Sequence, residues 1–226
     1  AASDVYKRQG QISTIVTPMT FVSGAQNTTI TTGGADAESD PDFADRIRLA
    51  PNSFSVAGPE KAYVYHAKSV SPAIIDVKVD SPTPGEVDVY VLLTDGTLPT
   101  EDTLEQIEEH LSDENIRPLT DYVVVKAPTA SNYEIELHYW INQEDSSKAA
   151  QIQADVEAAV EQYRLWQQTK IGRDITPGKL LQLVFAAGAS RVDDSKMEPA
   201  AWKKLEAMQV AQCTKVNVVY EGYKDE

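Results

Sequence analysis

Residues 121–141 read DYVVVKAPTASNYEIELHYWI, and how this stretch pairs decides the fold. DYVVVKA (121–127) and NYEIELHYWI (132–141) are β-rich runs, and PTAS between them has the composition of a turn. The pattern predicts two strands joined as a hairpin. In the second strand His138 alternates with Leu137 and Tyr139, and Trp140 faces opposite to Tyr139.

Toward the C-terminus, Ser146 or Ser147 is placed to cap a long helix running to about Thr169. Its stripe is Ile152, Val156, Ala159, Tyr163 and Trp166. Gly172 ends that segment, and Thr176-Pro177 opens a second helix, PGKLLQLVFAA, which closes at Gly188. ASRVDD reads as a short strand, PAAWKKLEAM as a loop or helical turn, and CTKVNVVYEG as the last strand. The half from 117 to 226 is therefore expected to be a ββααββ unit, one sheet backed by helices.

Toward the N-terminus, residues 115–118 form a junction. Before it, Pro99-Thr100 starts the helix EDTLEQIEEHLSD, with an inner stripe of Leu104, Ile107 and Leu111. Its outer side carries Glu101, Asp102, Glu105, Glu108 and Glu109 and no Lys or Arg. A solvated face is the ordinary meaning of such a run, and contact with a basic partner is the sharper one. IIDVKVD (74–80) and EVDVYVLLT (86–94) alternate around SPTPG and predict a hairpin. Before that lies the helix PEKAYVYHAKSV, with Ala62, Tyr65 and Val70 near one face. The stretch GGADAESDPDFADRIRLAP (33–51) holds five acids between Asp36 and Asp45. Pro41 suits a first helical turn, so Asp40 is expected to be the N-cap. Asp42 then lies at the positive end of the helix dipole, and Arg46 and Arg48 at the negative end. Residues 1–35 have too little apolar mass for a core and read as an extended arm or partial strands. The fold class is α+β: two small α/β-layer domains, each with antiparallel hairpins backed by helices, over 36–116 (helix-helix-hairpin-helix) and 117–226, plus the N-terminal arm.

The chain has 226 residues and a formal net charge of −15. A chain of this length buries about 70% of its unfolded surface and needs no disulfide to fold. The charge excludes the usual phosphate-binding surface, so no nucleic-acid partner is expected, and it disfavours anionic membranes. Cys213 is the single cysteine, so there is no intrachain disulfide. It leads into VNVVY as a small buried residue rather than a nucleophile. The start, AASDVYKRQGQ, lacks Met and an apolar signal core, and it reads as a truncated or processed start or a tag scar.

The search for chemistry finds little. Asp36, Glu38, Asp40 and Asp42 alternate like a calcium loop, but the sixth position is Pro41 and the twelfth is Ile47, where Gly and a carboxylate are needed. His66, His110 and His138 show no zinc spacing. There is no G-x-S-x-G elbow and no glycine-rich phosphate loop. No catalytic, metal or cofactor-binding residue is assigned. Trp202, in a loop-like region, and Trp140 are candidate interface anchors, with Glu105, Glu108 and Glu109 on the acidic helix.

Several segments in order resemble the baseplate J-like family of contractile phage tails. They are GGADAESDPDFADRIRL, AGPEKAYVYHAKSV, IIDVKVDSPTPGEVDVYVL, RPLTDYVVVKAPTASNYEIELHYWI, IGRDITPGKLLQLV and VNVVYEG. Gly33, Gly34, Asp36, Glu38, Ser39, Asp40, Arg46 and Arg48, with Arg117 and Pro118, carry the most telling blocks. The resemblance implies a structural, non-enzymatic wedge component without cofactor, located in the virion tail and in the host cytoplasm before assembly. Its implied partners are other baseplate wedge and fibre-attachment proteins, with a homo-oligomer in the assembled ring. The family pattern extends further N-terminally, so the chain is expected to be a C-terminal portion, and alone to be monomeric or weakly dimeric. A carbohydrate-active tail enzyme and a calcium-stabilised adhesion module are the alternatives.

Overall fold

The structure is a computed structural model, and it describes residues 10–11, 13–14, 22–28, 39–54 and 59–224. The arm expected over 1–35 falls mostly outside the described residues, as do Gly33, Gly34, Asp36 and Glu38.

The first helix, α1 (Asp40–Leu49), begins one residue earlier than the sequence suggests. Ser39, not Asp40, is the N-cap: its Oγ accepts the Asp42 amide at 3.3 Å, and Asp40 is already helical. Serine and aspartate cap equally well, so composition alone does not choose between neighbours. A 3-10 turn (Ala50–Phe54) follows. Helix α2 (Glu60–Val70) then buries Ala62, Tyr63 and Ala67. Tyr63, not Tyr65, is the inward tyrosine. Its hydroxyl donates to Asp121 Oδ2 at 2.7 Å, a link 58 residues long.

Strands β1 (Ile74–Asp80) and β2 (Glu86–Leu93) form the expected antiparallel hairpin. Gly85 has φ +86 at its tip, the left-handed conformation that such a turn needs. After a 3-10 turn (Thr94–Gly96), helix α3 (Glu101–Leu111) starts at Thr100, whose Oγ1 accepts the Thr103 amide at 3.4 Å.

The hairpin predicted over 121–141 does not form. Strand β3 (Tyr122–Lys126) runs parallel to β2, giving a first sheet ordered β1-β2-β3. Val123 and Val125 enter the first core with Val87, Val89, Val91, Ile107 and Leu111. The strand therefore belongs with the sheet before it and not with the unit expected over 117–226. The chain then changes sheet across only Ala127 and Pro128. PTAS is no turn, because Thr129, Ala130 and Ser131 are already strand.

Strand β4 (Thr129–Ile141) is the centre of the second sheet, ordered β5-β4-β6. Tyr133, Ile135, Leu137, Tyr139 and Ile141 are buried while residues between them face outward, the period-2 pattern of a half-buried strand. Both edges of β4 are occupied, which leaves β3 no place beside it. Strand β5 (Arg191–Val192) lies antiparallel and β6 (Gln209–Tyr223) parallel.

Helix α4 (Ala149–Gln168) covers the buried face with Ile152, Val156, Val160 and Tyr163, and α5 (Pro177–Ala186) adds Leu180 and Val184. Neither Ser146 nor Ser147 caps α4. Asn142 caps a 3-10 turn (Gln143–Lys148) that leads into it, accepting the Glu144 amide at 3.0 Å. Trp166 is half-buried rather than central. It packs on Tyr163 and under Arg173, whose guanidinium carbon sits 4.3 Å from the ring centre. The loop from α4 to α5 is held by Gln167, fully buried, which donates to the carbonyls of Arg173 and Asp174. The α+β class stands, with one antiparallel hairpin among the described residues rather than one in each half.

Candidate interaction surfaces

The side chains with chemical potential are mostly spent on holding strands and loops. Arg117 follows α3 and donates from Nε to the Ser112 carbonyl at 2.9 Å. Its Nη1 reaches the Pro118 and Asp121 carbonyls at 3.3 and 3.1 Å. A planar guanidinium with five donors suits such a fan of acceptors. The loop it pins displays Leu119, 94% exposed, and leads into Tyr122 at the start of β3, 70% exposed. Pro118 thus serves through its carbonyl.

Three of the acids on α3 part company in the structure. Glu105 and Glu109 are exposed, whereas Glu108 is half-buried and its Oε2 accepts the Val125 amide at 2.9 Å. Glu108 therefore closes a backbone group on the open side of β3. Glu101 and Asp102 are exposed in the first turn, where the helix dipole favours them. On α1, Asp42 Oδ2 accepts from the Ser39 hydroxyl, and Arg48 pairs with Asp45 at 2.8 Å in full solvent. Arg46 lies 5.3 Å from the Phe43 ring centre. Phe43 and Ile47 stay 48% and 56% exposed, so α1 keeps an uncovered apolar side.

Trp140 points outward from β4 beside two cations, Lys224 Nζ at 5.3 Å and Arg191 Cζ at 5.9 Å from the ring centre. It lines a groove of about 550 Å³ with Phe185, Val192, Asp193, Asp194 and Lys224. The two acids offset the two cations, so the groove selects neither sign of ligand. Trp202 is 59% exposed.

Sequence reasoning missed a polar cluster on the same outward face. His138 Nδ1 lies 2.6 Å from Glu221 Oε1 on β6, and Nε2 lies 3.0 Å from Glu136 Oε1. Asn217 donates to the same Glu136 oxygen. The Glu221 hydrogen bond, more than the Glu136 one, holds the His138 pKa above its ordinary value against the opposing effect of burial. The bond from Asn217 holds the Glu136 carboxyl below its usual range. The alternation of Glu136 and His138 was visible in the sequence, but Glu221 lies 83 residues away, and only the parallel pairing of β4 with β6 brings it in.

Cys213 is half-buried, with Sγ 3.3 Å from the Lys215 carbonyl, and burial pushes its thiol pKa up, away from nucleophilic thiolate. Among the described residues, no group of three or more His, Cys, Asp or Glu is arranged to hold a metal ion, and no helix is long and apolar enough to cross a membrane.

The family description "Baseplate J-like central domain" matches residues 55–127, and "Baseplate J-like protein C-terminal domain" matches residues 133–219. Baseplate protein J of Escherichia phage P2 is 31% identical over 202 residues, 89% of this chain, and the chain spans 65% of that protein's length. Among solved structures, a chain from the anti-feeding prophage (AFP) baseplate, 6-fold symmetrised, aligns with a TM-score of 0.49 and 14% identity. The alignment covers 88% of this chain and 47% of that one. The two matched family domains follow in order, and they meet where the backbone leaves the first sheet for the second. The chain belongs to the Baseplate J-like family.

Proposed function

We propose that this chain is a structural component of the baseplate of a contractile tail, held in place by contacts with other baseplate proteins and carrying out no catalysis. The observation that carries this reading is the 31% identity to Baseplate protein J of phage P2 across 89% of the chain, with both family domains in order. The chemistry of the surface agrees with it. Polar groups that could do acid–base work, Glu108, His138 and Glu136, are tied to backbone or to neighbouring strands. What is left exposed is suited to docking: an acidic helix face, Leu119 on a pinned loop with Tyr122 just after it, and a loop tryptophan, Trp202. The acidic face of α3 favours a neighbour with a basic surface, through steering and register. The resulting location is the virion tail, after a period in the host cytoplasm before assembly, and the neighbours are wedge and fibre-attachment proteins. Antibody-gold labelling of contractile particles from the encoding strain should mark the tail tip, and a nonsense allele should yield tails without a baseplate. Fully formed, infectious particles from the nonsense allele would refute the proposal.

A further inference from the structure

An open sheet edge presents unpaired backbone N–H and C=O groups, and proteins blunt such edges with charges, bulges or short length. Among the described residues the two sheets have four edges, and three are blunted. Strand β1 sets Asp76, Lys78 and Asp80 at alternate positions and has a register shift between Ile74 and Asp76. Strand β3 has its Val125 amide closed by Glu108. Strand β5 is two residues long. The fourth, β6, is fifteen residues long and has β4 on one side only. Its residues Thr214, Lys215, Val216 and Asn217 are consecutively exposed, and Lys215 is the single charge between Gln212 and Tyr220. From Lys215 to Tyr220 its register on β4 is unbroken, with shifts only before and after.

We propose that β6 pairs antiparallel with β6 of a second copy of this chain, about a twofold axis at Val218. This register sets Lys215 of each copy opposite Glu221 of the other. It sets Val216 opposite Tyr220, Asn217 opposite Val219, and Val218 opposite itself. Opposed residues in an antiparallel pair share a face, so these are contacts between side chains, of the opposite-charge and β-branched–aromatic kinds that stabilise sheets. The faces agree with the pairing to β4. Val216, Val218 and Tyr220 lie beside Ile135, Leu137 and Tyr139 on the core side, and Asn217 and Val219 lie beside Glu136 and His138 on the outer side. Val216 is 46% exposed on the core side, so a neighbouring strand would cover apolar surface.

Each charge has capacity left to pair across the axis. Lys215 has no carboxylate within ion-pair distance among the described residues, and both ionic contacts of Glu221 run through Oε1, leaving Oε2. Placing the axis at Asn217 or Val219 loses both charge pairs, and the registers between set core-side residues beside outward ones. A twofold contact is self-complementary, which this run of seven residues is. Pairing through β6 rests on strand register and does not depend on the baseplate reading.

Sedimentation equilibrium of the full chain over a range of concentrations tests this, at about 0.15 M salt so that repulsion between copies of net charge −15 is screened. The wild-type mass should rise from one chain to two. K215E alone, or E221K alone, sets two like-charged pairs and should stay at one-chain mass. In a mixed dimer of the two variants both pairs are again opposite in charge, so an equimolar mixture should regain the doubled mass. A wild type at one-chain mass throughout, which a strand from a different protein on this edge would give, overturns the proposal. Single variants that associate like wild type, or a mixture that does not recover, overturn it too. Glu221 also holds His138, so amide exchange of the wild type alone gives a second reading. Protection of Lys215–Tyr220 should grow with concentration, and protection independent of concentration overturns the pairing.

Discussion

His138 shows how much one residue can depend on its surroundings. A neutral imidazole has a single ring N–H and cannot donate to two carboxylates at once, so the contacts to Glu221 and Glu136 together require the imidazolium. The folded pKa is raised, first by the Glu221 hydrogen bond, with Lys196 acting in the opposite sense. A group whose folded pKa exceeds its unfolded value, near 6.5 for histidine, stabilises the fold fully below that value and loses the contribution as pH rises through the folded pKa. Urea unfolding of the wild type and His138→Asn should therefore differ most near pH 6 and least near pH 9. A difference that is constant between those pH values would show that the ring acts by packing and not by charge.

Among the elements, α3 and β3 carry the lesson about polar edges. Glu108 is one acid in a row of five by sequence, yet it alone among them accepts a strand amide. Glu108→Ala would leave the N–H of the buried residue Val125 without that acceptor, a cost of about 1 kcal/mol in denaturant unfolding. Glu108→Gln retains an acceptor oxygen and should lose less. Glu105→Ala and Glu109→Ala, at exposed positions, should fall within about 0.5 kcal/mol of wild type. Equal effects at all three positions would remove Glu108 from its role. The same region marks where sequence was legible and where it was not. Helices α3, α4 and α5 and the β1-β2 hairpin follow from periodicity and turn residues, which are local signals. The partner of β3 is not local: Val123 and Val125 read as a strand in either sheet, and only the burial of both beneath α3 decides. The Ser39 cap was missed because Ser and Asp stand side by side with equal preference. The His138 cluster and the Arg117 fan depend on residues brought together by sheet order or loop closure, so composition could not reveal them. Trp140 and Trp202 stand out by residue type, and the structure gives them different settings, one beside two cations and one open to solvent.

At the scale of the whole molecule, the described residues form two large apolar cores, one on each sheet. A small third cluster lies between, in which Leu92 from the first sheet meets Ile171 and Val210 from the second unit, with Ile75, Tyr90 and Leu98 packed around. Polar links surround it. Asp76 Oδ2 accepts the Ile171 amide at 2.8 Å, Gln212 donates to the Gly96 carbonyl at 2.7 Å, and Gln168 donates to the Asp95 carbonyl. Gly96 sits at the closest approach, with φ +73 and fully packed surroundings. A Cβ there would stand 2.5 Å from the Gln168 carbonyl oxygen, which is backbone and cannot swing aside. Gly96→Ala therefore carries two costs, a left-handed conformation for a residue with a side chain and a clash that pushes the end of α4 away from the first sheet. The conformation alone costs on the order of 1 kcal/mol, and the expected loss of stability with the clash is about 2 kcal/mol or more. Gly178→Ala is the control: it meets nothing within 4 Å and lies in the first turn of α5, so its stability should stay within about 0.5 kcal/mol of wild type. Amide exchange locates the damage. In Gly96→Ala the Ile171 amide should lose protection while Val89, deep in the first core, keeps it. Loss of both together would mean that the two cores unfold as one unit, and that the joint is no weaker than what it joins.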